Sequence, residues 1–253
     1  MRSGGVKSTA STSGDGEVQT GSFEHMNSVA AHLLANLTAP MRFDGDLNVD
    51  LNEITMNLVP FPKVHFLCSS MSPLHLSTAR LRYKDPSKGA LTKEIDRAFD
   101  SVLSRQSQLF VANPKGSTYL TCAFLARGKG LDISDIARNV SRVSSGMDFP
   151  YWNADGFKTG LCRASPLSSP FALLCLANNC CIRTPLRRMT DRFSTLKKRK
   201  VFVHHYTKYM DEHCFDEAWA AVDEVVERYA ELDKAGSGVA ALTSGVSRPS
   251  LLT

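Results

Sequence analysis

The stretch Arg42 to Pro62, RFDGDLNVDLNEITMNLVPFP, decides how the rest of the sequence is read. Phe43-Asp44-Gly45 carries turn chemistry, because aspartate bonds its own backbone and glycine reaches angles closed to other residues. Asp46 or Asn48 can cap a following helix, along which Leu47, Leu51, Ile54 and Leu58 recur at i, i+4, i+7 and i+11. Pro60 and Pro62 then forbid further helix. The spacing predicts a short acidic helix over 46–58 with one face committed to a core. Asp50 and Glu53, three residues apart and therefore neighbours on a helix surface, are left projecting the other way. A carboxylate pair so placed is ordinarily solvated surface.

Composition narrows the classes available. With 43% hydrophobic residues in 253, the chain can build a real core, as one large domain or two small ones. The net charge of +5 is mild and gives little ground for a nucleic-acid partner. Seven cysteines (Cys68, Cys122, Cys162, Cys175, Cys180, Cys181 and Cys214) sit mostly in apolar runs with no CxxC pair, which predicts buried, reduced thiols. No apolar run reaches the roughly 20 residues that span a bilayer, so no membrane partner is expected.

Taken in order, residues 1–22 hold no Leu, Ile, Phe, Tyr or Trp, and a disordered leader is expected there. From Phe23 to Pro40 the spacing of Met26, Val29, Ala30, Leu33, Leu34 and Leu37 predicts a helix capped by Ser22 and apolar on two sides. Such a helix belongs between two layers, so the sequence implies either a second chain or a longer polypeptide. Val64–Cys68 reads as a buried strand with His65 packed rather than ligating, and 71–90 as a long surface loop. A helix is predicted over 91–103, a strand over 119–125, and a helix over 132–144 begun by Asp132. The connector FPYWNAD (149–155) is expected to pack its aromatics at a strand edge rather than stack bases, and it leads to strands at 156–162 and 171–182. Alternation of this kind predicts an α/β domain with helices on a mixed sheet. Residues 184–235 read as a helical hairpin, one helix basic and the other acidic, each with an apolar stripe for the sheet and charges that neutralise one another. A flexible tail is expected over 236–253.

Several segments then converge on a family. NLVPFP, a buried strand, and the terminal run FVHHYTKYMDEHCFDEAW resemble the C-terminal half of a tubulin, over about Phe23 to Ala235. Within that superfamily LANLTAPMRFDGDLNVDLNEITMNLVPFP, WNADGFKTGLC, CLANNCC and His204-His205-Tyr206 are most similar to the epsilon type. The resemblance implies a tubulin-type intermediate domain at 41–183, preceded by the family's core helix at 23–40 and followed by the hairpin that faces kinesin-type partners in other tubulins.

What the resemblance implies for function follows residue by residue. Phe23 to Thr38 matches the helix that tubulins sandwich between nucleotide-binding and intermediate domains, and Asn27 matches the asparagine that hydrogen-bonds guanine. No strand followed by a glycine-rich phosphate loop occurs in the sequence, so this chain alone is expected to bind no GTP and to be inactive as a GTPase. Glu53 matches the alpha-type glutamate that promotes water attack on the GTP of the longitudinal neighbour, where beta-tubulin has a lysine, and Asp50 matches a nearby acid. The implied partners are other tubulin subunits, met longitudinally through the 46–58 helix, and centriolar proteins. The implied location is cytoplasmic, in the cytoskeleton at centrioles and basal bodies. Thr207-Lys208-Tyr209-Met210 lacks the Gly-rich turn of alpha and beta forms, and the 71–90 loop departs from their lateral-contact loop. The first departure speaks against ordinary motor binding at that turn; the second, with the lack of an acidic tail, favours a specialised tubulin. The alternative is an interaction module derived from a tubulin intermediate domain and independent of nucleotide.

Overall fold

Two apolar runs form the centre of the molecule. In the computed structural model, which describes residues 17–45, 47, 49–74, 88–166 and 169–243, these are β2 (Tyr119–Gly128) and β4 (Phe171–Asn179), with β4 buried at every position. The edges are β1 (Cys68–Ser72) and β3 (Phe157–Cys162), in the order β1-β4-β2-β3. β4 runs antiparallel to both neighbours, pairing Ser70 with Cys175 and Phe124 with Cys175, while β3 is parallel to β2 with Phe124 opposite Thr159. The result is the expected α/β class with a mixed sheet.

Because side chains alternate along a strand, the two sheet faces receive different residues. Cys122, Phe124 and Ala126 face α4 (Lys88–Val102) and α5 (Ile133–Ser144), meeting Leu91, Ile95, Phe99, Ile136 and Val143. Ala123 and Leu125 face the other way, into a cluster with Ile54 and Leu58 of α3 (Leu51–Leu58) and with Val29, Leu33 and Leu37 of α1 (Glu17–Leu37). A short α2 (Ala39–Arg42) links α1 to α3 and takes Pro40 in its first turn, where a missing N–H costs nothing.

The last three helices, α6 (Arg183–Lys198), α7 (Val203–Tyr206) and α8 (His213–Thr243), close one end of the sheet. Val225, Val226 and Tyr229 of α8 are buried, and Val225 and Tyr229 join Val64, Leu120 and Cys180 in a third cluster. The charge complementarity read in the sequence is made by Lys197 with Asp216, Arg187 with Asp223 at 3.7 Å and Arg183 with Asp233 at 2.8 Å. Asp233 is buried and also accepts the Thr118 N–H at 2.9 Å.

Several expected boundaries move, each for a local reason. α1 begins at Glu17 rather than Phe23, so Ser22 lies inside it and is no cap. The strand expected at 64–68 starts only at Cys68, because the backbone of the preceding residues is bonded by side chains: Asn178 donates to the Val64 carbonyl at 2.9 Å, and the Phe66 N–H donates to the Tyr229 hydroxyl at 3.0 Å. The expected loop over 71–90 yields Met71 and Ser72 to β1 and its end to α4, and 75–87 lie outside the described residues. The strand expected to reach Ile182 ends at Asn179, whose side chain accepts the Cys181 N–H at 2.8 Å and starts a 3-10 turn. Of FPYWNAD, Phe149 packs at the edge strand as expected, its ring 4.7 Å from Phe157 of β3, whereas Tyr151–Asn153 is another 3-10 turn in which Tyr151 is exposed and Trp152 meets Phe61 edge-on at 5.3 Å. Not all of the α6 stripe reaches the sheet, since Met189 and Leu196 stay exposed. α8 continues to Thr243, into the stretch expected to be flexible. The thiols are buried and unbridged, apart from a half-buried Cys214.

Candidate functional site at the α3 edge

The quoted stretch folds differently from its periodicity, and the difference shapes the site. The helix begins at Leu51, not 46, and Asp50 is its N-cap, accepting the Glu53 N–H on Oδ1 at 2.6 Å. Asp50 therefore does not project beside Glu53 as a second free carboxylate; its side chain is turned back to satisfy an orphan donor of the first turn. The alternative caps, Asp46 and Asn48, lie outside the described residues. Leu47 is not helical either. It bridges the open edge of β3, exchanging N–H···O bonds with Leu161 at 3.4 and 2.9 Å. Of the predicted apolar face only Ile54 and Leu58 are buried, Leu51 is exposed, and Val49 takes the missing place in the core.

Four features fix the start of α3, three of them contacts with β3. Besides the Leu47 bridge and the Asp50 cap, Val49 lies over Gly160, where an added Cβ would stand 3.0 Å from Val49 Cγ2 and 2.7 Å from Leu125 Cδ2. The fourth is an ion pair between Glu53 and Lys158 of β3, with both side chains about one-third exposed. Lys158 bonds Glu53 Oε1, and among the described residues Oε2 makes no hydrogen bond. At its other end α3 is tied down through the Leu58 carbonyl, which accepts from Thr121 Oγ1 and Asn178 Nδ2, each at 2.9 Å. A short helix, marginal on its own, is thus held rigid at both termini. Gly160→Ala is expected to displace Val49 and Leu125 and to destabilise the fold by about 1–2 kcal/mol, read as a shift in denaturant midpoint.

The third predicted site residue stands apart from these two. Asn27 is exposed on the outward face of α1, among exposed Phe23, Met26 and Leu34. It makes no hydrogen bond to either acid. Lys158 was not singled out from sequence: it is 105 positions from Glu53 and only the β3 register brings the two together. Among the described residues no group of three or more His, Cys, Asp or Glu is placed to hold a metal ion.

Residues 62–191 match the family model for the tubulin C-terminal domain. The chain belongs to the tubulin family. It is 41% identical over 213 residues to the tubulin epsilon chain of Homo sapiens, an alignment covering 83% of this chain and 43% of that one. For the epsilon chain of Mus musculus the identity is 40% over the same shares. For the tubulin beta-2 chain of Suillus bovinus it is 30% over 222 residues, covering 87% and 48%. This tubulin chain thus spans less than half the length of the relatives it matches, and its similarity is greater to the epsilon chains than to that beta chain. Its α/β fold with a four-stranded mixed sheet is consistent with the tubulin type.

Proposed function

We propose that the chain is part of an epsilon-type tubulin, a structural constituent of the microtubule cytoskeleton at centrioles and basal bodies, whose complete form binds GTP and whose α3 edge meets the nucleotide of a neighbouring subunit. The observation that carries this reading is the fixed placement of Glu53. A carboxylate on a helix anchored at both ends, with one oxygen held by Lys158 and the other unbonded among the described residues, suits the orientation of a water molecule beside a phosphate. Asp50 acts at one remove, as the cap that sets the first turn. The outward face of α1, with Asn27 among exposed apolar side chains, suits the seat of a nucleotide-binding domain, where Asn27 would bond guanine.

Asp50→Ala is expected to weaken α3 by about 1 kcal/mol through loss of the cap and to loosen the Glu53–Lys158 pair, read as faster amide exchange over 51–54. The contact itself is tested with a photo-crosslinking amino acid at Met56, which is exposed on α3. In an assembled complex the expected product joins this chain to another tubulin subunit. Crosslinks confined to this chain would contradict the proposal. GTP added to the chain alone is expected to show no affinity, and binding in the micromolar range or tighter would overturn that part of the reading.

A further inference from the structure

The charges of the helical hairpin do not cancel completely. The acids of α8 are largely engaged: Asp216, Asp223 and Asp233 by Lys197, Arg187 and Arg183 of α6, Glu224 by Lys63, and Glu231 by Arg228 of its own helix. At 3.6 residues per turn Arg183, Arg187, Thr190 and Lys197 share one side of α6, where three of them bond α8 and Thr190 is buried. The opposite side carries Arg188, Arg192 and the C-cap Arg199, all exposed. Among the described residues no ion pair or side-chain hydrogen bond reaches these three guanidinium groups, and Asp191, the one acid of α6, is paired with none of them.

Apolar side chains run beside those arginines. Pro185, Met189, Phe193 and Leu196 line a shallow groove of about 420 Å³, walled on its other side by Val111. Met189, Leu196 and Val111 are 53%, 51% and 70% exposed. Apolar surface gathered in this way and rimmed by charge marks an interaction site, and Met and Arg are enriched at protein interfaces. From Pro185 to Leu196 the face is about 16 Å long, three helical turns.

The character of the groove specifies its occupant. The counter-charge does not come from the segments outside the described residues, which bring Asp15, Asp46 and Asp85 against Arg2, Lys7, Arg80, Arg82, Lys84 and Arg248. Another molecule has to supply it. The side chains beside the arginines are mainly aliphatic, whereas a single-stranded nucleic acid is held by aromatic stacking platforms. A concave groove three turns long suits a rod-like element more than a flat lipid surface.

We propose that this face of α6 is a docking site for an acidic amphipathic helix of a partner protein, whose apolar residues fill the groove and whose flanking carboxylates meet Arg188, Arg192 and Arg199. The site uses none of the groups at the α3 edge and is independent of the function proposed for that edge.

The test is fluorescence anisotropy of the full chain with a labelled synthetic helical peptide that carries leucines along one face, glutamates flanking them and alanines opposite. Saturable binding in the micromolar range is expected, weakening as salt is raised because exposed charges are screened. A scrambled peptide of the same composition is expected to bind far less. Arg192→Glu and Leu196→Ser change exposed side chains and leave the core intact. Arg192→Glu sets like charges together and is expected to weaken binding by about 10-fold or more; Leu196→Ser, which removes apolar contact, is also expected to weaken it. Amide exchange locates the peptide, with slower exchange expected over 185–199. Four results would each overturn the proposal: no saturation, equal binding of the scrambled peptide, full affinity in both variants, or protection on the outward face of α1 in place of α6. Tighter binding of oligouridylate RNA or of phosphatidylserine vesicles, lost in Arg192→Glu, would likewise overturn it in favour of a different class of partner.

Discussion

Asn178→Leu is expected to destabilise the fold by about 2 kcal/mol, the cost of orphaning a buried backbone carbonyl. Asn178 is fully buried in β4, and its side chain joins three segments. Its Nδ2 donates to the Leu58 carbonyl at the end of α3 and to the Val64 carbonyl, each at 2.9 Å. Its Oδ1 accepts from the Tyr229 hydroxyl of α8 at 3.2 Å, and that hydroxyl in turn accepts the Phe66 N–H at 3.0 Å. A leucine of similar size fills the space and satisfies none of these groups. The Leu58 carbonyl keeps Thr121 and the Tyr229 hydroxyl keeps the Phe66 carbonyl at 3.3 Å, so the loss falls chiefly on the Val64 carbonyl. Urea unfolding monitored by circular dichroism measures the effect; a loss below about 1 kcal/mol would show that these groups find other partners on relaxation. Because Asn178 holds the end of α3, the substitution is also expected to raise amide exchange over 55–59, a local readout that a simple packing defect on the opposite sheet face would not give.

How much of this was legible in the sequence depends on whether a feature is local. The runs of β2 and β4, the Asp132 cap of α5 and the stripe of Leu91, Ile95 and Phe99 each declare themselves within a dozen residues, and the structure places them as strand, cap and buried face. The two-sided apolar pattern of α1 was equally plain: Val29, Leu33 and Leu37 enter the core while Phe23, Met26 and Leu34 are exposed. The start of α3 was misread because two local signals compete there. The i, i+4, i+7 spacing from Leu47 suggested helix, yet the chain gains more by laying Leu47 along the open edge of β3 and burying Val49 over Gly160. Asp50 then falls at the junction and becomes the cap. Asn178 and Lys158 left no trace in the sequence. An asparagine in an apolar run signals only that some polar group must be met, and which carbonyls it meets is fixed by elements more than a hundred residues away. The same holds for the Glu53–Lys158 pair, on which the site depends.

That pair gives Glu53→Ala the largest functional effect expected of any substitution here. Removing a group that orients or deprotonates an attacking water typically costs about 10²–10⁴-fold in rate. The change leaves the Asp50 cap and the Ile54 and Leu58 anchors in place, so the fold should lose little. Lys158→Met separates positioning from chemistry: with the carboxylate present but unheld, turnover should fall less than in Glu53→Ala.

The most direct measurement is single-turnover GTP hydrolysis by assemblies of the complete protein with the tubulin subunits proposed as its partners, comparing wild type with Glu53→Ala at matched extents of assembly. A fall of about 100-fold or more in the hydrolysis rate, with unchanged GTP affinity, is the predicted result. Equal rates in the two assemblies would contradict the assignment of Glu53 to the neighbour's nucleotide and leave the α3 edge as a contact surface alone.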